Sequence, residues 1–326
     1  MRRDFHGAFL NIMVKYYPSY YKDFSCIAGE CPDSCCRKWE IVIDVDTLNT
    51  YNSLEGEFAD KIRAEIIKDE EGDCCFRLNN GSCPFLNYNG LCDIHIELGE
   101  AFTSEICRNH PRFIEEYEGF TEIALSLSCP EANRIILDTE NAEYPTPDYK
   151  GEDEVLSLLI TSRKSLFCEN TDCFSLIKQI LDTAADDSLD IDLVYIADHP
   201  EFSAEFLSFY GKLLLDNEIL TDEWKNFLEK AVSATVNDSD FQIFCRKNSD
   251  TIIKILRYYI YRYYLKAVND LDVYSRALFI AASALFSAFI AFTCNENITE
   301  AARLYSKETE HNSDNIDRII GYFSEF

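Results

Sequence analysis

Clustered cysteine is the feature of this 326-residue chain that most constrains its fold. Of the 14 cysteines, 10 lie between Cys26 and Cys129. Residues 1–13 include two arginines but no apolar run long enough for a signal peptide, so we expect a cytoplasmic protein. In that reducing compartment, clustered cysteines bind metal more often than they form disulfides. The cysteines therefore predict a metal-binding module near the N-terminus.

Eight cysteines stand where turns could bring them together, namely Cys26, Cys31, Cys35, Cys36, Cys83, Cys92, Cys107 and Cys129. Four thiolates suit a structural zinc ion and a [4Fe–4S] cluster equally well, and the spacing matches neither zinc-ribbon pairs nor the ferredoxin run. Consecutive side chains diverge in most backbone conformations, so we expect Cys35 and Cys36 not to share one simple site. The pattern predicts a metal centre and leaves the metal open.

Four other residues near the cysteines are candidates for ligand or catalytic roles. His95, three residues beyond Cys92, could be a fourth ligand of zinc, although such a histidine is more often a loop or core residue. The same two interpretations apply to His110 as a catalytic residue. Arg108 and Arg112 could hold a carboxylate, or could instead pair with local acidic residues. The sequence leaves these alternatives open.

The chain is strongly acidic. It has 58 Asp and Glu against 30 Lys and Arg, a formal net charge of −28 that is divided equally between residues 1–150 and 151–326. Such a field repels phosphate backbones and anionic lipid, which argues against nucleic acid and membranes as partners. It favours a basic partner such as a lysine-rich protein surface, with solubility as the simpler explanation of the charge.

The 11 glycines exclude several common catalytic folds, because no two of them lie closer than nine residues apart. A P-loop and a G-x-G-x-x-G turn both need glycines close together where the backbone meets phosphate. The sequence also lacks the Gly-x-Ser-x-Gly and His-Glu-x-x-His motifs. Any chemistry therefore belongs to the cysteine module or to a pocket without a familiar motif.

Residues 141–151 are the clearest boundary in the chain, because Pro145 and Pro147 stand among polar residues and the cysteines thin out beyond them. We expect a cysteine-rich metal-binding module at 1–140, a linker at 141–151 and a helical domain at 152–326. The predicted fold class is mainly α, with a few short strands in the N-terminal module and a helical bundle after it.

Periodicity places the elements within these parts. In the first part we expect strands at 39–44 and 121–127, a helix at 53–68, a loop at 81–91 and a helix from Pro130 to Leu137. In the second part, apolar residues at three- and four-residue intervals predict helices at 154–166, 173–184, 202–215, 222–232, 241–268, 273–293 and 316–323.

Two of the helical segments have an unusual composition. Residues 277–295 carry no charged side chain, but they are borderline in length and rich in Ala and Ser, so a buried helix explains them better than a membrane span. Residues 254–266 interleave basic side chains with five tyrosines. We expect these tyrosines to pack around a central helix, with a cofactor or substrate pocket between helices as the alternative.

Four segments, taken in order, resemble the flagellin lysine N-methylase family. They are FSCIAGECPDSCCRKWEIVID, CPFLNYNGLCDIHIELGE, EICRNHPRF and LSLSCPEANRIIL. This family is a branch of a wider group of zinc- or iron-chelating proteins with CxxCxxCC-type motifs. The resemblance covers residues 20–140, and the helical second half agrees only in general character.

The resemblance implies S-adenosylmethionine-dependent methylation of lysine side chains on flagellin or another lysine-rich protein surface. It also implies that the eight cysteines hold a metal centre, for which we expect a [4Fe–4S] cluster, with zinc as the alternative. Other motif positions are occupied by Trp39, Pro111, Arg112, Pro130 and Glu131, whereas Cys74 and Cys75 lie outside the pattern. No motif identifies the catalytic residues or those that bind S-adenosylmethionine.

Two other functions stay open. The protein could be a metal-binding or iron–sulfur protein without methyltransferase activity, which predicts no binding of S-adenosylmethionine. It could also be an adaptor in which zinc staples a small domain to a helical bundle. That second alternative predicts zinc in place of iron, and unfolding of residues 20–140 on chelation.

Overall fold

Helix is the main secondary structure of the protein. The computed structural model describes residues 13–69, 72–168, 172–188 and 201–325. Within these ranges it has fourteen α-helices and five short strands, which confirms the predicted fold class. Residues 1–12, the greater part of the segment expected to contain no signal peptide, lie outside the described residues.

The five strands form two small sheets. They are β1 (Val14–Tyr16), β2 (Ile66–Lys68), β3 (Cys74–Phe76), β4 (Arg112–Tyr117) and β5 (Phe120–Leu125). The larger sheet has the order β1-β5-β4, with β1 parallel and β4 antiparallel to β5, and β2 pairs with β3 antiparallel. Glu115 lies opposite Glu122, which would be repulsive, but Arg262 and Arg163 from the helical half bind one carboxylate each. These pairs tie the sheet to the helices.

Five helices accompany the strands: α1 (Val45–Ser53), α2 (Glu57–Ala64), α3 (Asp93–Leu98), α4 (Glu105–Asn109) and α5 (Pro130–Asp138). The predicted strand at 121–127 is confirmed as β5, and the helix at Pro130 is confirmed as α5, where proline in the first turn removes an N–H that has no helical partner.

Two predictions in the first part are wrong in extent. The helix expected at 53–68 is α2, which ends at Ala64, because Ile66 and Ile67 pair with β3 and strand pairing there overrides the helical periodicity. The strand expected at 39–44 is only an isolated bridge between Val42 and Cys75, although the amide of Ile43 donates to the carbonyl of Cys74 at 2.7 Å.

Nine α-helices follow in the described residues of the second part. They are α6 (Glu154–Leu166), α7 (Cys173–Asp187), α8 (Ala204–Leu215), α9 (Asp222–Ser233), α10 (Asp238–Lys247), α11 (Ser249–Tyr263), α12 (Val273–Cys294), α13 (Ile298–Thr309) and α14 (Ser313–Phe323). The helix expected at 241–268 is divided at Asn248 and ends in a 3₁₀ turn at Tyr264–Val268. Helix α13 was not predicted, and the other predicted helices are confirmed.

Helix α12 lies at the centre of the helical part, in contact with α7, α8, α9, α11, α13 and α14. By length and composition it could cross a membrane, but 83% of its most apolar window is buried inside the protein. The five tyrosines of 254–266 are buried as well, as expected if this segment packs in the core. Burial of α12 and α11 therefore accounts for the unusual composition of both segments.

The apolar side chains form two cores. The smaller core, within residues 36–102, includes Ile43, Tyr51, Phe76 and Phe85. The larger core joins β5 and α5 to the helices of the second part. Residues 142–150 contain neither helix nor strand, and the division of the chain into domains at this point stays a prediction.

Candidate metal centre

Backbone hydrogen bonds hold three of the predicted ligands on neighbouring turns. The amide of Cys83 donates to the carbonyl of Cys36 at 2.8 Å, and the amide of Leu86 donates to the carbonyl of Cys83 at 3.1 Å. Leu86 also pairs with Cys92 in an isolated bridge. Cys36, Cys83 and Cys92 are thus placed together by two tight turns, although they span more than fifty residues of sequence.

Cys107 joins these three from the first turn of α4, where its sulfur accepts a hydrogen bond from Oγ of Ser104 at 3.1 Å. Burial raises the pKa of Cys107 to about 11, and the thiols of Cys36 and Cys92 add to the rise. Burial likewise raises the pKa of Cys83 to about 12, with further contributions from Cys36, Cys92 and Cys107. The four thiols therefore lie within electrostatic reach of one another.

A second group contains Cys26, Cys31 and Cys129. Burial raises the pKa of Cys129 to about 11, and the thiols of Cys31 and Cys26 raise it further. A single guanidinium connects two segments beside this group, because Nη1 of Arg303 donates to the side-chain Oδ2 of Asp33 at 2.7 Å and to the backbone carbonyl of Ser128 at 3.4 Å. Arg303 thereby fastens the loop after Cys31 to the residue before Cys129.

Cys35 and Cys36 do not diverge as expected. Their thiols share a hydrogen bond, because both residues lie in a turn, where successive side chains need not alternate as they do in a strand. The bond lowers the pKa of Cys36 to about 7 and raises that of Cys35. Cys35 also interacts with Cys26 and Cys107, so it connects the two groups.

The chemistry of this donor set fits a sulfur-bound metal centre. All eight cysteines are free thiols, and neighbouring thiolates that raise one another's pKa would be relieved by a bound cation. No three of their sulfurs lie within 4.8 Å of one another in the described part of the chain, where only Glu40, Asp69 and Cys75 are so close. Which cysteines bind one centre stays a prediction.

The other predicted polar residues take structural positions. His95 is exposed on α3. Arg108 donates to the carbonyl of Thr103, and Nε of Arg112 donates to the hydroxyl of Tyr21 at 3.0 Å. The guanidinium of Arg112 also lies over the ring of Tyr21. These contacts are with a carbonyl and a phenol, and the binding of a carboxylate by the two arginines stays a prediction.

Beside the cysteines, three half-buried rings form a cluster that we call the histidine pocket: Trp39, His110 and His311. The centroid of His311 lies 4.5 Å from Trp39 and 5.8 Å from His110, and Phe113 stacks on His311 at 5.1 Å. Trp39 follows Cys36 by three residues, and His110 follows Cys107 by three. The pocket therefore lies where the cysteine-rich module meets the C-terminal end of α13.

Both imidazoles of the histidine pocket are neutral at physiological pH. Burial lowers the pKa of His110 to about 4, and the positive charges of Lys307 and Arg112 lower it further. Burial lowers the pKa of His311 to about 3, assisted by His110, Arg262 and Lys307. These surroundings thus disfavour a proton on either imidazole.

An ion-pair cluster anchors the cysteine loop to α13 next to the pocket. Oδ2 of Asp33 accepts from Nζ of Lys307 at 2.5 Å as well as from Arg303. The Lys307 side chain is 3% exposed, and its Nζ lies 5.7 Å from the centre of the Trp39 ring. The charge of Lys307 is therefore buried between the cysteine loop and the histidine pocket.

Sequence reasoning missed Asp33, Arg303, Lys307 and His311. Arg303 and Lys307 belong to α13, which was not predicted, and both are buried although charged side chains are usually exposed. His311 contacts serines more than 180 residues away in sequence. Local patterns carry no signal for such a site.

Comparison with known proteins confirms the resemblance found in the sequence. The chain is 29% identical over 131 residues to the flagellar biosynthetic protein FliU of Salmonella muenchen, a match that covers 38% of this chain and 78% of that protein. It is also 29% identical over 131 residues to the lysine-N-methylases of Salmonella choleraesuis and Salmonella typhimurium. That match spans only 33% of either methylase. No family model and no solved structure matches the chain.

Proposed function

We propose that this protein is a lysine N-methylase that transfers methyl groups from S-adenosylmethionine to lysine side chains of flagellin. The similarity to two proteins named lysine-N-methylase and to a flagellar biosynthetic protein carries the proposal. Because the match covers a third of the methylases' length, the activity and the substrate are inferred for this chain from a shared segment.

The histidine pocket offers suitable surroundings for the acceptor amine. Methyl transfer requires a neutral lysine amine, whereas a free lysine with a pKa of about 10.4 is almost entirely protonated at neutral pH. The burial and positive charges that keep His110 and His311 neutral would lower the pKa of an entering amine in the same way. The net charge of −28 would attract a lysine-bearing partner to the surface.

The metal centre belongs to the same proposal. The two groups of cysteines described above, with Cys35 between them, would supply the ligands of this centre. A [4Fe–4S] cluster would provide a redox-active centre there, and zinc would provide a structural staple. We also propose that the protein is cytoplasmic and has no nucleic acid or membrane partner. The burial of α12 is consistent with the absence of a membrane partner.

Metal content, cofactor binding and product mass test the proposal in sequence. Anaerobically purified protein should contain about four irons with matching sulfide, as a [4Fe–4S] cluster requires. It should bind S-adenosylmethionine in calorimetry. Each methyl transfer should add about 14 Da, the mass of one methylene group, to a flagellin lysine. Cys83→Ser should lose the metal, whereas Cys294→Ser, which changes a half-buried thiol outside the cluster, should retain it.

Each alternative function has a distinct outcome in these assays. Iron and sulfide without heat on addition of S-adenosylmethionine would make the protein an iron–sulfur protein that is not a methylase. Stoichiometric zinc without sulfide would favour the stapled adaptor. An unmodified flagellin after incubation with metal-loaded, S-adenosylmethionine-binding protein would refute flagellin as the substrate.

A further inference from the structure

A continuous chain of polar contacts leads from the histidine pocket into the helical core. Nε2 of His311 lies 2.8 Å from Oγ of Ser128 and 3.1 Å from Oγ of Ser126. Oγ of Ser126 lies 3.4 Å from Oγ of Ser306, which donates to Oε2 of Glu310 at 2.5 Å. A half-buried imidazole is thereby connected to a buried carboxylate through side chains from two distant parts of the sequence.

The surroundings of Glu310 match an ionised carboxylate. Tyr258 and Tyr263 donate their hydroxyls to it at 2.9 and 3.0 Å, in addition to Ser306. Nε of Arg262 lies 3.9 Å away and makes no hydrogen bond of its own among the described residues. Three hydroxyl donors and a guanidinium stabilise negative charge, while the complete burial of the carboxylate increases its affinity for a proton.

We propose that this chain of side chains is the proton path of the methylation reaction, with His311 as the catalytic residue that receives a proton from the lysine ammonium and Glu310 as the terminal acceptor. The inference rests on the proposed function, since it assigns a route for the proton that the substrate amine must lose. His311 is the half-buried end of this series of side chains, whereas Ser126, Ser306 and Glu310 are buried, so His311 is the member nearest to solvent.

The side chains of this proposed path account for every proton transferred. Both serines contact Nε2, so Nδ1 is the ring nitrogen left to accept from the lysine ammonium. The Nε2 proton passes to Ser126, the Ser126 proton to Ser306, and the Ser306 proton to Glu310, which becomes a neutral carboxylic acid. The neutral amine then forms a bond to the methyl carbon while the carbon–sulfur bond of the sulfonium breaks and its electron pair leaves with sulfur.

The charges around the two ends favour this direction of transfer. The low pKa of His311 means that the imidazole passes a proton on without retaining it, whereas burial raises the pKa of Glu310. The titratable and charged groups facing His311 are His110, Lys307 and Arg262. Those facing Glu310 are Arg262, Tyr258, Tyr259, Tyr263 and Tyr305.

The pH dependence of kcat separates a proton path from a structural role. Ser306→Ala and Glu310→Gln should each lower kcat at pH 7 by about 10²-fold, a typical contribution of proton transfer. The deficit should shrink to within about threefold near pH 10, because there solvent already supplies much of the lysine as neutral amine. A variant that is only misfolded or mispositioned would lose the same factor at every pH.

Two matched variants control for the loss of buried polar groups. Ser287→Ala removes a buried hydroxyl that donates to the carbonyl of Ser283 at 2.9 Å. Glu308→Gln neutralises a buried carboxylate that accepts a hydrogen bond from Thr221 and is not part of the proposed proton path. Both should keep the wild-type pH profile, and Ser306→Ala, which changes no charge, tests the path even if Glu310→Gln does not fold.

The possible outcomes are distinct. If wild-type protein methylates lysine and the Ser306→Ala profile runs parallel to the wild-type profile from pH 7 to pH 10, the proton path is refuted and the proposed function stands. If metal-loaded wild-type protein binds S-adenosylmethionine but transfers no methyl group to any lysine, the proposed function and the path fail together.

Discussion

Neutralising Glu122 should destabilise the whole protein, because its carboxylate is the sole acidic partner of Arg163 in the described residues. The guanidinium donates to both carboxylate oxygens, at 2.5 and 2.8 Å, and the two side chains are 3% and 2% exposed. Glu122→Gln would leave a buried cation with only the carbonyl of Tyr261, at 3.3 Å, as an acceptor apart from the new amide. Breaking such a buried pair costs about 3–5 kcal/mol, and the remaining carbonyl favours the lower figure.

Urea unfolding followed by far-ultraviolet circular dichroism measures this loss. For a slope of about 3 kcal/mol/M, a destabilisation of about 3 kcal/mol moves the midpoint down by about 1 M. Glu116→Gln is the control, because this exposed glutamate on β4 lies near Glu122 and its neutralisation should leave the midpoint unchanged.

A double variant distinguishes an unpaired charge from lost packing. Glu122→Leu combined with Arg163→Met removes both charges, so it should be more stable than Glu122→Gln alone. A Glu122→Gln midpoint within about 0.2 M of wild type would refute the reasoning, since that shift is worth less than about 1 kcal/mol. A double variant as unstable as the sum of the single changes would also contradict it.

Two further predictions concern the tyrosines of α11 and the histidine pocket. Tyr258→Phe removes a hydrogen bond to a buried carboxylate and should cost about 1.5–3 kcal/mol, whereas Tyr259→Phe removes a buried hydroxyl without a partner among the described residues and should be neutral or stabilising in the same urea assay. Equal losses would contradict the assignment. Because the folded-state pKa values of His110 and His311 are about 4 and about 3, below the unfolded value of about 6.5, the unfolded chain binds more protons as the pH falls through that window. The thermal midpoint should therefore decrease as the pH is lowered from 6.5 to 4, and His311→Gln should flatten this dependence. An unchanged slope in the variant would contradict the role of His311.

Helices with one apolar face could be predicted from the sequence. The bounds of α6 are those expected from its periodicity, and Asp153, whose side chain accepts from the amide of Leu156, marks its start. The helix expected at 53–68 was predicted to be too long, because no local sequence pattern shows that Ile66 pairs with Phe76 in a sheet. Helix α13 was not predicted although its apolar residues recur at helical spacing, and the burial of Lys307 and Glu308 has no sign in the sequence.

The candidate site divides in the same way. Cysteine clustering identified the thiols without any structure, since the residue type is rare and its neighbours in sequence stay neighbours on short turns. The histidine pocket could not be predicted from the sequence, because His311 contacts Trp39 and His110 only when α13 docks on the cysteine module. A contact of that kind is encoded by the packing of the entire helical part.

The anchor between Asp33 and Arg303 has a consequence for how the protein is made. The two residues are 270 positions apart, so at about 5–20 residues per second the ribosome needs about 15–50 s to produce the second after the first. Once the cysteine loop has left the ribosome, it lacks for the rest of that interval the helix that fixes its shape. Nascent thiols would therefore have to remain reduced, and free of wrong metals, for most of the time taken to synthesise the chain.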